Sequence, residues 1–180
     1  MSARQRVLTA TKFAVDRLDV PLRAGGSVRR EVVVHPGAVV VLPWLDDGRL
    51  VLIRSYRFAI ERPLVELPAG TLEAGEDPRE AAVRELQEET GYRAEAVWPL
   101  SSFYPSPGIC DEVMHAFVAE GLTPGPQALE PTEDIEVLAL RVDEVEARVR
   151  AGELVDAKTL ATLLLWRLRG PSARPGSPRR

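Results

Sequence analysis

The chain has 180 residues, of which 45% are hydrophobic and 28% charged, with a net charge of −4 and one cysteine. This composition predicts one globular domain with at most a small appendage, and it excludes disorder throughout. The lone Cys110 can build neither a disulfide framework nor a thiolate zinc site, so we expect a cytoplasmic protein. The longest apolar stretches are too short to span a bilayer, and the negative charge argues against a nucleic-acid binder.

Residues 1–36 are predicted to form a small N-terminal antiparallel β region. Stretches 15–21 and 28–34 have strand-like composition and are separated by a flexible turn at 24–26. Two strands alone are only marginally stable. We therefore expect them to pack on the main body or on a second subunit.

Residues 37–170 are predicted to form the main domain, and residues 171–180 a disordered tail without large apolar side chains. Strand candidates alternate with helical patterns, which indicates a fold that mixes helices and strands, in the class α/β (α+β). Its architecture is either α+β or an α/β/α sandwich. The strand candidates are 38–42, 50–54, 64–67, 97–103, 113–118 and 135–140; the helix candidates are 77–90, 142–150 and 157–169, the last with an apolar face formed by Leu160, Leu163, Leu164 and Leu168.

The first predicted helix carries a cluster of acids. Glu85, Glu88 and Glu89 fall within an arc of about 100° on an α-helix, beside a predicted apolar stripe. The carboxylates repel one another unless a cation is present, and their oxygen atoms suit Mg²⁺ or Mn²⁺ rather than Zn²⁺. Charge pattern alone, however, favours a solvated face. The stripe that we expect to pack on the sheet consists of Ala82, Val83 and Leu86.

The spacing of the whole segment 70–92 favours the metal site over the solvated face. Gly70 is followed after five residues by Glu76, and after seven more by the run Arg-Glu-Leu-Gln-Glu-Glu-Thr-Gly-Tyr at 84–92. Nine fixed or restricted positions within 23 residues are rarely matched by chance. The segment resembles, in full, the signature of the Nudix hydrolases.

The Nudix resemblance implies an α/β/α sandwich with a mixed sheet and metal-dependent hydrolysis of a nucleoside diphosphate linked to another group. Carried over to this sequence, it implies Glu85 and Glu89 as metal ligands, together with the backbone carbonyl of Ala69. Glu88 is implied as a ligand to a further ion or its water. Glu76 and Arg84 correspond to a structural ion pair that holds the loop on the helix.

The segments around the signature resemble the ADP-ribose pyrophosphatase branch of the family. These segments are Glu-Leu-Pro-Ala-Gly at 66–70, Arg-Glu at 30–31, Arg-Ser-Tyr-Arg at 54–57 and Ser-Pro-Gly at 106–108. The resemblance covers roughly residues 28–170. It implies a homodimer whose substrate is a nucleoside diphosphate sugar.

The same resemblance implies substrate-binding roles, and each has a plainer alternative. Arg57 corresponds to an arginine that contacts substrate phosphate, or it forms a surface ion pair. Arg30 and Glu31 correspond to residues that reach the adenosine portion from the partner subunit, or they are solvated charges. Glu112 corresponds to a residue near the terminal ribose, or it is a loop acid. Gly108 would let the backbone approach the ligand, or it serves a simple turn.

One departure from the family pattern concerns the catalytic base. Glu133 corresponds to a further metal-ligand position, but Pro131 stands where an acidic base is expected, and proline cannot take a proton. Glu130, Glu133 or Glu112 deprotonates the water, or the metal ions alone lower its pKa enough.

The leading hypothesis is hydrolysis of ADP-ribose to AMP and ribose 5-phosphate with Mg²⁺ or Mn²⁺. A second hypothesis keeps this chemistry for another nucleoside diphosphate sugar such as GDP-mannose. A third is a nucleotide-sensing Nudix module that does not hydrolyse its ligand.

Overall fold

The computed structural model describes residues 4–169, so the predicted tail at 171–180 lies outside the described residues. The strands are β1 Gln5–Thr9, β2 Ala14–Pro21, β3 Ser27–Val34, β4 Ala38–Pro43, β5 Arg49–Arg57, β6 Arg62–Glu66, β7 Ala69–Thr71, β8 Arg93–Phe103, β9 Met114–Thr123 and β10 Ile135–Arg141. The helices are α1 Pro78–Thr90, α2 Val142–Arg150 and α3 Ala157–Arg169, and a short 3₁₀ helix spans Phe58–Ile60.

The central sheet is mixed and has the strand order β7-β4-β9-β8. β4 runs parallel to β9 and antiparallel to β7, and all six of its residues are buried. Because successive side chains of a strand point to opposite faces, β4 contributes to two layers. Val39 and Val41 pack with α1 on one face, whereas Val40 and Leu42 belong to the core that α3 covers on the other.

A second sheet with the order β10-β5-β6 shares the core beneath α3. Leu50 and Leu52 of β5 are buried there, and Leu160 and Leu163 of α3 pack against the same cluster. Helices therefore cover both faces of the sheets, and the predicted mixed α/β fold is confirmed. No helix within residues 4–169 is both long and apolar enough to cross a membrane.

The N-terminal region forms an antiparallel sheet of its own with the order β1-β2-β3. The predicted strands at 15–21 and 28–34 correspond to β2 and β3, while β1 was not predicted because it shows no clear apolar period. Backbone hydrogen bonds join β3 to the loop before β9: Val33 N–H donates to Ile109 O (2.8 Å), and Asp111 N–H donates to Val33 O (3.1 Å).

Helix α1 begins and ends as predicted, but its buried face differs. Asp77 caps the helix by accepting a hydrogen bond from Arg79 N–H (2.8 Å), and Gly91 ends it in the left-handed conformation. Val83 is 42% exposed, so its place in the predicted apolar stripe is wrong. Ala81 is buried instead of Val83. The buried face of α1 therefore includes Glu85 and Glu89.

The predicted apolar face of α3 is also only partly correct. Leu160 and Leu163 pack into the core, but Leu164 and Leu168 are exposed to solvent. The face that meets the core is centred on the buried Thr159 and Thr162, together with Leu163 and Trp166, so Leu164 and Leu168 fall on the opposite side of the helix.

Candidate active site

The centre of the site is the contact between α1 and the short strand β7. Glu85 and Glu89 lie one helical turn apart and are only 9% and 4% exposed. A Cβ atom on Gly70 would lie 1.9 Å from the carboxyl carbon of Glu85. Only glycine at position 70 allows this acid to lie directly on the β7 backbone.

Glu89 is a buried carboxylate with little compensation for its charge. Its Oε2 accepts a hydrogen bond from Ala69 N–H (2.8 Å). Burial raises its pKa to about 8, with further contributions from the negative charges of Glu85 and Glu133 and opposition from Arg57. At neutral pH this arrangement favours either a proton or a cation at Glu89.

Arg84 neutralises two of the other acids of α1. Its Nη1 donates to Glu85 Oε1 (2.8 Å) and to Glu88 Oε2 (3.0 Å). Burial nevertheless raises the pKa of Glu85 above its usual value, because desolvation and the charges of Glu88 and Glu133 outweigh Arg84.

The predicted ion pair between Glu76 and Arg84 is present. Arg84 Nε donates to Glu76 Oε1 (2.8 Å) and Arg84 Nη2 donates to Glu76 Oε2 (2.9 Å), so the pair is bidentate. The hydrogen bond from Arg84 lowers the pKa of Glu76. The same carboxylate accepts Glu73 N–H (2.9 Å), which fixes the loop before the helix.

Glu133 approaches this cluster from the connection before β10. It is partly buried, and its negative charge contributes to the raised pKa of both Glu85 and Glu89. Its Oε2 accepts Glu130 N–H (2.8 Å) in a turn that places Pro131 and Glu130 in solvent.

Arg57, at the end of β5, lies on the same side as Glu89. Its Nε donates to Oε1 of the fully buried Glu66 (2.7 Å), and its positive charge opposes the rise in the pKa of Glu89. Within residues 4–169, Glu66 is the only hydrogen-bond or ion-pair partner of this side chain. The terminal nitrogen atoms of Arg57 therefore have no other protein partner among the described residues.

The remaining predicted substrate-binding residues lie outside the carboxylate cluster. Arg30 and Glu31 are exposed on β3, where Glu31 accepts from Arg17 Nε (3.0 Å). Among the described residues, no ion pair links either of them to the acids of α1. Gly108 is exposed with open space where a Cβ would stand, and Glu112 Oε1 lies 3.8 Å from His35 Nδ1.

The chemistry of this donor set suits a hard divalent cation. Two buried carboxylates with raised pKa values face a third acid and the β7 backbone, so the site carries negative charge that nearby groups do not fully balance. In the described part of the chain no three acidic, histidine or cysteine side chains converge into a ready-made metal centre. Arg84 forms ion pairs with both Glu85 (2.8 Å) and Glu88 (3.0 Å).

Comparison with known proteins gives the family. The NUDIX domain model matches residues 34–163, and the chain belongs to the Nudix hydrolases. It is 41% identical over 159 residues to the ADP-ribose pyrophosphatase of Bacillus subtilis, which covers 87% of this chain and 86% of that one. It is 32% identical over 182 residues to a GDP-mannose pyrophosphatase of Cronobacter sakazakii, with 93% and 94% covered.

The fold is also similar to a solved crystal structure described as an ADP compounds hydrolase. The TM-score is 0.78 at 25% sequence identity, and the match covers 92% of this chain and 90% of that one. The Nudix resemblance found in the sequence, the fold that it implies and the assignment to a Nudix hydrolase are therefore confirmed.

Sequence reasoning missed two features beside the acids. Arg84 contacts Glu85 and Glu88 as well as Glu76, a contact that the helical spacing of Arg84 and Glu88 could have indicated. Lys158 reaches Glu66 from a position 92 residues away, and no local pattern signals that contact.

Proposed function

We propose that this chain hydrolyses the pyrophosphate bond of ADP-ribose to give AMP and ribose 5-phosphate, with Mg²⁺ or Mn²⁺ as cofactor. The observation that carries the proposal is the pair of buried carboxylates, Glu85 and Glu89, against the β7 backbone. The similarity to an ADP-ribose pyrophosphatase over most of both chains supports the choice of substrate.

Glu85, Glu89 and the carbonyl oxygen of Ala69 would hold the ions, with Glu88 and Glu133 as further ligands. Bound divalent ions neutralise phosphate charge and lower the pKa of an attacking water. For these acids to serve as ligands, Glu85 and Glu88 have to leave Arg84. The bidentate pair with Glu76 would keep Arg84 in place when they do.

Arg57 would bind a phosphate of the substrate through its terminal nitrogen atoms. A guanidinium is a planar donor that matches phosphate oxygen atoms in pairs. The hydrogen bond from Nε to Glu66 leaves the opposite edge of the guanidinium for the ligand. Glu112 would lie near the terminal ribose, and Gly108 would let the backbone approach the ligand closely.

Glu133 is the acid we propose as the proton acceptor, in addition to its role as a ligand. Its negative charge acts on Glu85 and Glu89, and it is partly buried, whereas Glu130 and Pro131 are exposed. Its hydrogen bond from Glu130 N–H engages one oxygen atom and leaves the other for a water.

The proposal includes a homodimer formed through the N-terminal region, in which strands β1, β2 and β3 form the sheet within residues 5–34. Apolar side chains on this sheet and its turns are exposed in the single chain, among them Val7, Leu8 and Phe13. A second copy would remove them from water. Arg30 and Glu31 would then reach the adenosine portion bound by the partner. A cytoplasmic location belongs to the same proposal and is supported by the single cysteine.

The test is a panel of ADP-ribose, GDP-mannose and other nucleotide sugars with Mg²⁺, with the products separated by chromatography. We expect AMP and ribose 5-phosphate as the main products. Glu89→Gln should lower kcat at least 100-fold with the fold retained, and Glu80→Gln, on the exposed first turn of the same helix, is the matched control. Full activity of Glu89→Gln would refute the metal assignment.

GDP-mannose is the second candidate, because the similarity to a GDP-mannose pyrophosphatase covers nearly the whole of both chains. A higher kcat/KM for GDP-mannose than for ADP-ribose would replace the first substrate with the second. Tight binding of either compound without hydrolysis would indicate a sensing module.

A further inference from the structure

The fully buried carboxylate of Glu66 is shared between two cations. Its Oε1 accepts from Arg57 Nε (2.7 Å), and its Oε2 accepts from the ammonium group of Lys158. Each oxygen atom therefore has one cationic partner, and the two partners come from β5 and from the first turn of α3.

Lys158 is itself held in a fixed position. Its Nζ donates to Asp156 Oδ1 (3.0 Å), and Asp156 Oδ2 accepts from Thr159 N–H (2.9 Å) and from the Thr159 hydroxyl (2.6 Å). The Thr159 hydroxyl oxygen in turn accepts Leu67 N–H (2.8 Å), directly after Glu66. The start of α3 is thereby joined to the strand that leads into β7.

The geometry points to Lys158 as a positioning residue that acts through Glu66 on Arg57. By occupying Oε2, Lys158 limits Arg57 to a single hydrogen bond through Nε. The terminal nitrogen atoms of Arg57 then have no protein partner among the described residues and stay available to a substrate phosphate. This inference rests on the proposed function, in which Arg57 binds that phosphate.

The charges of the four groups support this role. Arg57 and Lys158 are balanced by Glu66 and Asp156, so the buried part of the network is neutral. If Lys158 is removed, both oxygen atoms of Glu66 become available to Arg57. A guanidinium and a carboxylate then favour the side-on bidentate pair, which draws one terminal nitrogen atom of Arg57 towards Glu66 and turns the opposite edge of the guanidinium away from the substrate phosphate.

The test replaces Lys158 with methionine, which keeps the length of the side chain and removes its charge. Lys158→Met should raise KM for the nucleotide sugar about 10-fold or more and change kcat less than KM. Arg148→Met removes one positive charge from α2 and is the control, expected within twofold of the native chain. A KM and kcat within twofold of native for a folded Lys158→Met would overturn the proposal.

A double-mutant cycle separates positioning from a general structural role. In an Arg57→Ala background, Lys158→Met should lower kcat/KM less than twofold further, because its effect passes through Arg57. An undiminished, additive loss would contradict the assignment. If Lys158→Met does not fold, the double variant Glu66→Gln/Lys158→Met replaces it, because it removes both charges of the pair. The amide at position 66 offers Arg57 one acceptor oxygen, so the KM of this variant should lie within threefold of the native value. A 10-fold rise in its KM would overturn the assignment.

The activity of the native chain separates the role of Lys158 from the proposed hydrolysis. Absence of any hydrolysis by the native chain would refute the function itself. A native chain that hydrolyses either nucleotide sugar, with Lys158→Met unchanged, would refute only the role of Lys158. The rise in thermal stability on adding Mg²⁺ should be the same in Lys158→Met and the native chain, because the metal acids lie outside this network.

Discussion

Glu85 and Gly70 lie in direct contact, so closely that a single Cβ atom at position 70 would overlap the Glu85 carboxyl group. The short strand and the helix can therefore meet only when residue 70 has no side chain. This contact places the acid beside the backbone of Ala69, which is the proposed metal ligand.

We expect Gly70→Ala to move Glu85 and to lower kcat at least 100-fold, because the overlap is with the side chain of a proposed ligand. The rise in unfolding temperature on adding Mg²⁺ should fall in parallel. Gly75→Ala is the control. That glycine has a φ of 78° but open space around it, so its replacement should cost about 1 kcal/mol of stability and leave the response to Mg²⁺ intact. Equal responses in the two variants would contradict the role of the contact.

The raised pKa of Glu89 predicts how the stability of the metal-free protein depends on pH. An acid whose pKa is higher in the folded state favours folding while it is protonated. Stability in EDTA should thus fall as the pH rises from the ordinary value of 4.5 towards about 8. Glu85 contributes in the same direction.

The measurement is thermal unfolding of the native chain and of Glu89→Gln between pH 5 and 8.5 in EDTA. Glu89→Gln should be the more stable of the two at pH 8, by about 1–3 kcal/mol, and should show a flatter pH profile. Parallel profiles for the two proteins would show that Glu89 does not titrate in this range.

The ion pair between Glu76 and Arg84 should matter chiefly for stability. Glu76→Gln removes one charge of a bidentate, partly buried pair and should cost about 1–2 kcal/mol at neutral pH. Because the pKa of Glu76 is lowered in the folded state, its contribution is present above the ordinary value of 4.5 and is lost as the pH falls further. Denaturant unfolding at pH 7 and at pH 3.5 tests both statements, and an equal difference at the two pH values would contradict the second.

The proposed dimer can be tested by complementation between two variants that are impaired for different reasons, assayed at a substrate concentration well below the KM of Arg30→Ala. Arg30→Ala should raise KM and Glu85→Gln should abolish turnover. If Arg30 reaches the partner's site, a mixed dimer of the two variants contains one site with both native residues. Mixing should therefore restore up to about a quarter of the native activity, measured after refolding the variants together. No recovery from a confirmed mixed dimer would place Arg30 on its own subunit's site or outside any site.

Several parts of the fold could be predicted from local sequence. The Asp-Pro start and the glycine end bound helix α1 to within one residue, because capping chemistry depends only on neighbours. The inward orientation of Glu85 and Glu89 could not be predicted in the same way. Their apolar neighbours include Ala81, Ala82 and Val83, and spacing alone does not show which two of these meet the sheet.

Contacts between residues far apart in the sequence could not be predicted from local patterns either. Lys158 and Glu66 are 92 residues apart, and their contact arises only when α3 packs beside β6. Strand β1 has exposed residues throughout, so it lacks the alternation that makes a half-buried strand visible in sequence. The family could be predicted from the signature segment because all of its characteristic residues lie within 23 consecutive positions.

The parallel pairing of β4 with β9 has a consequence for synthesis on the ribosome. Ala38 pairs with Met114 and Pro43 with Ala119, so the central sheet stays incomplete until residue 119 has left the exit tunnel. The acidic helix is made well before that point. A nascent chain therefore holds the proposed metal-binding helix before the sheet that supports it is complete, and β9 has to insert beside β4 after that helix has been made.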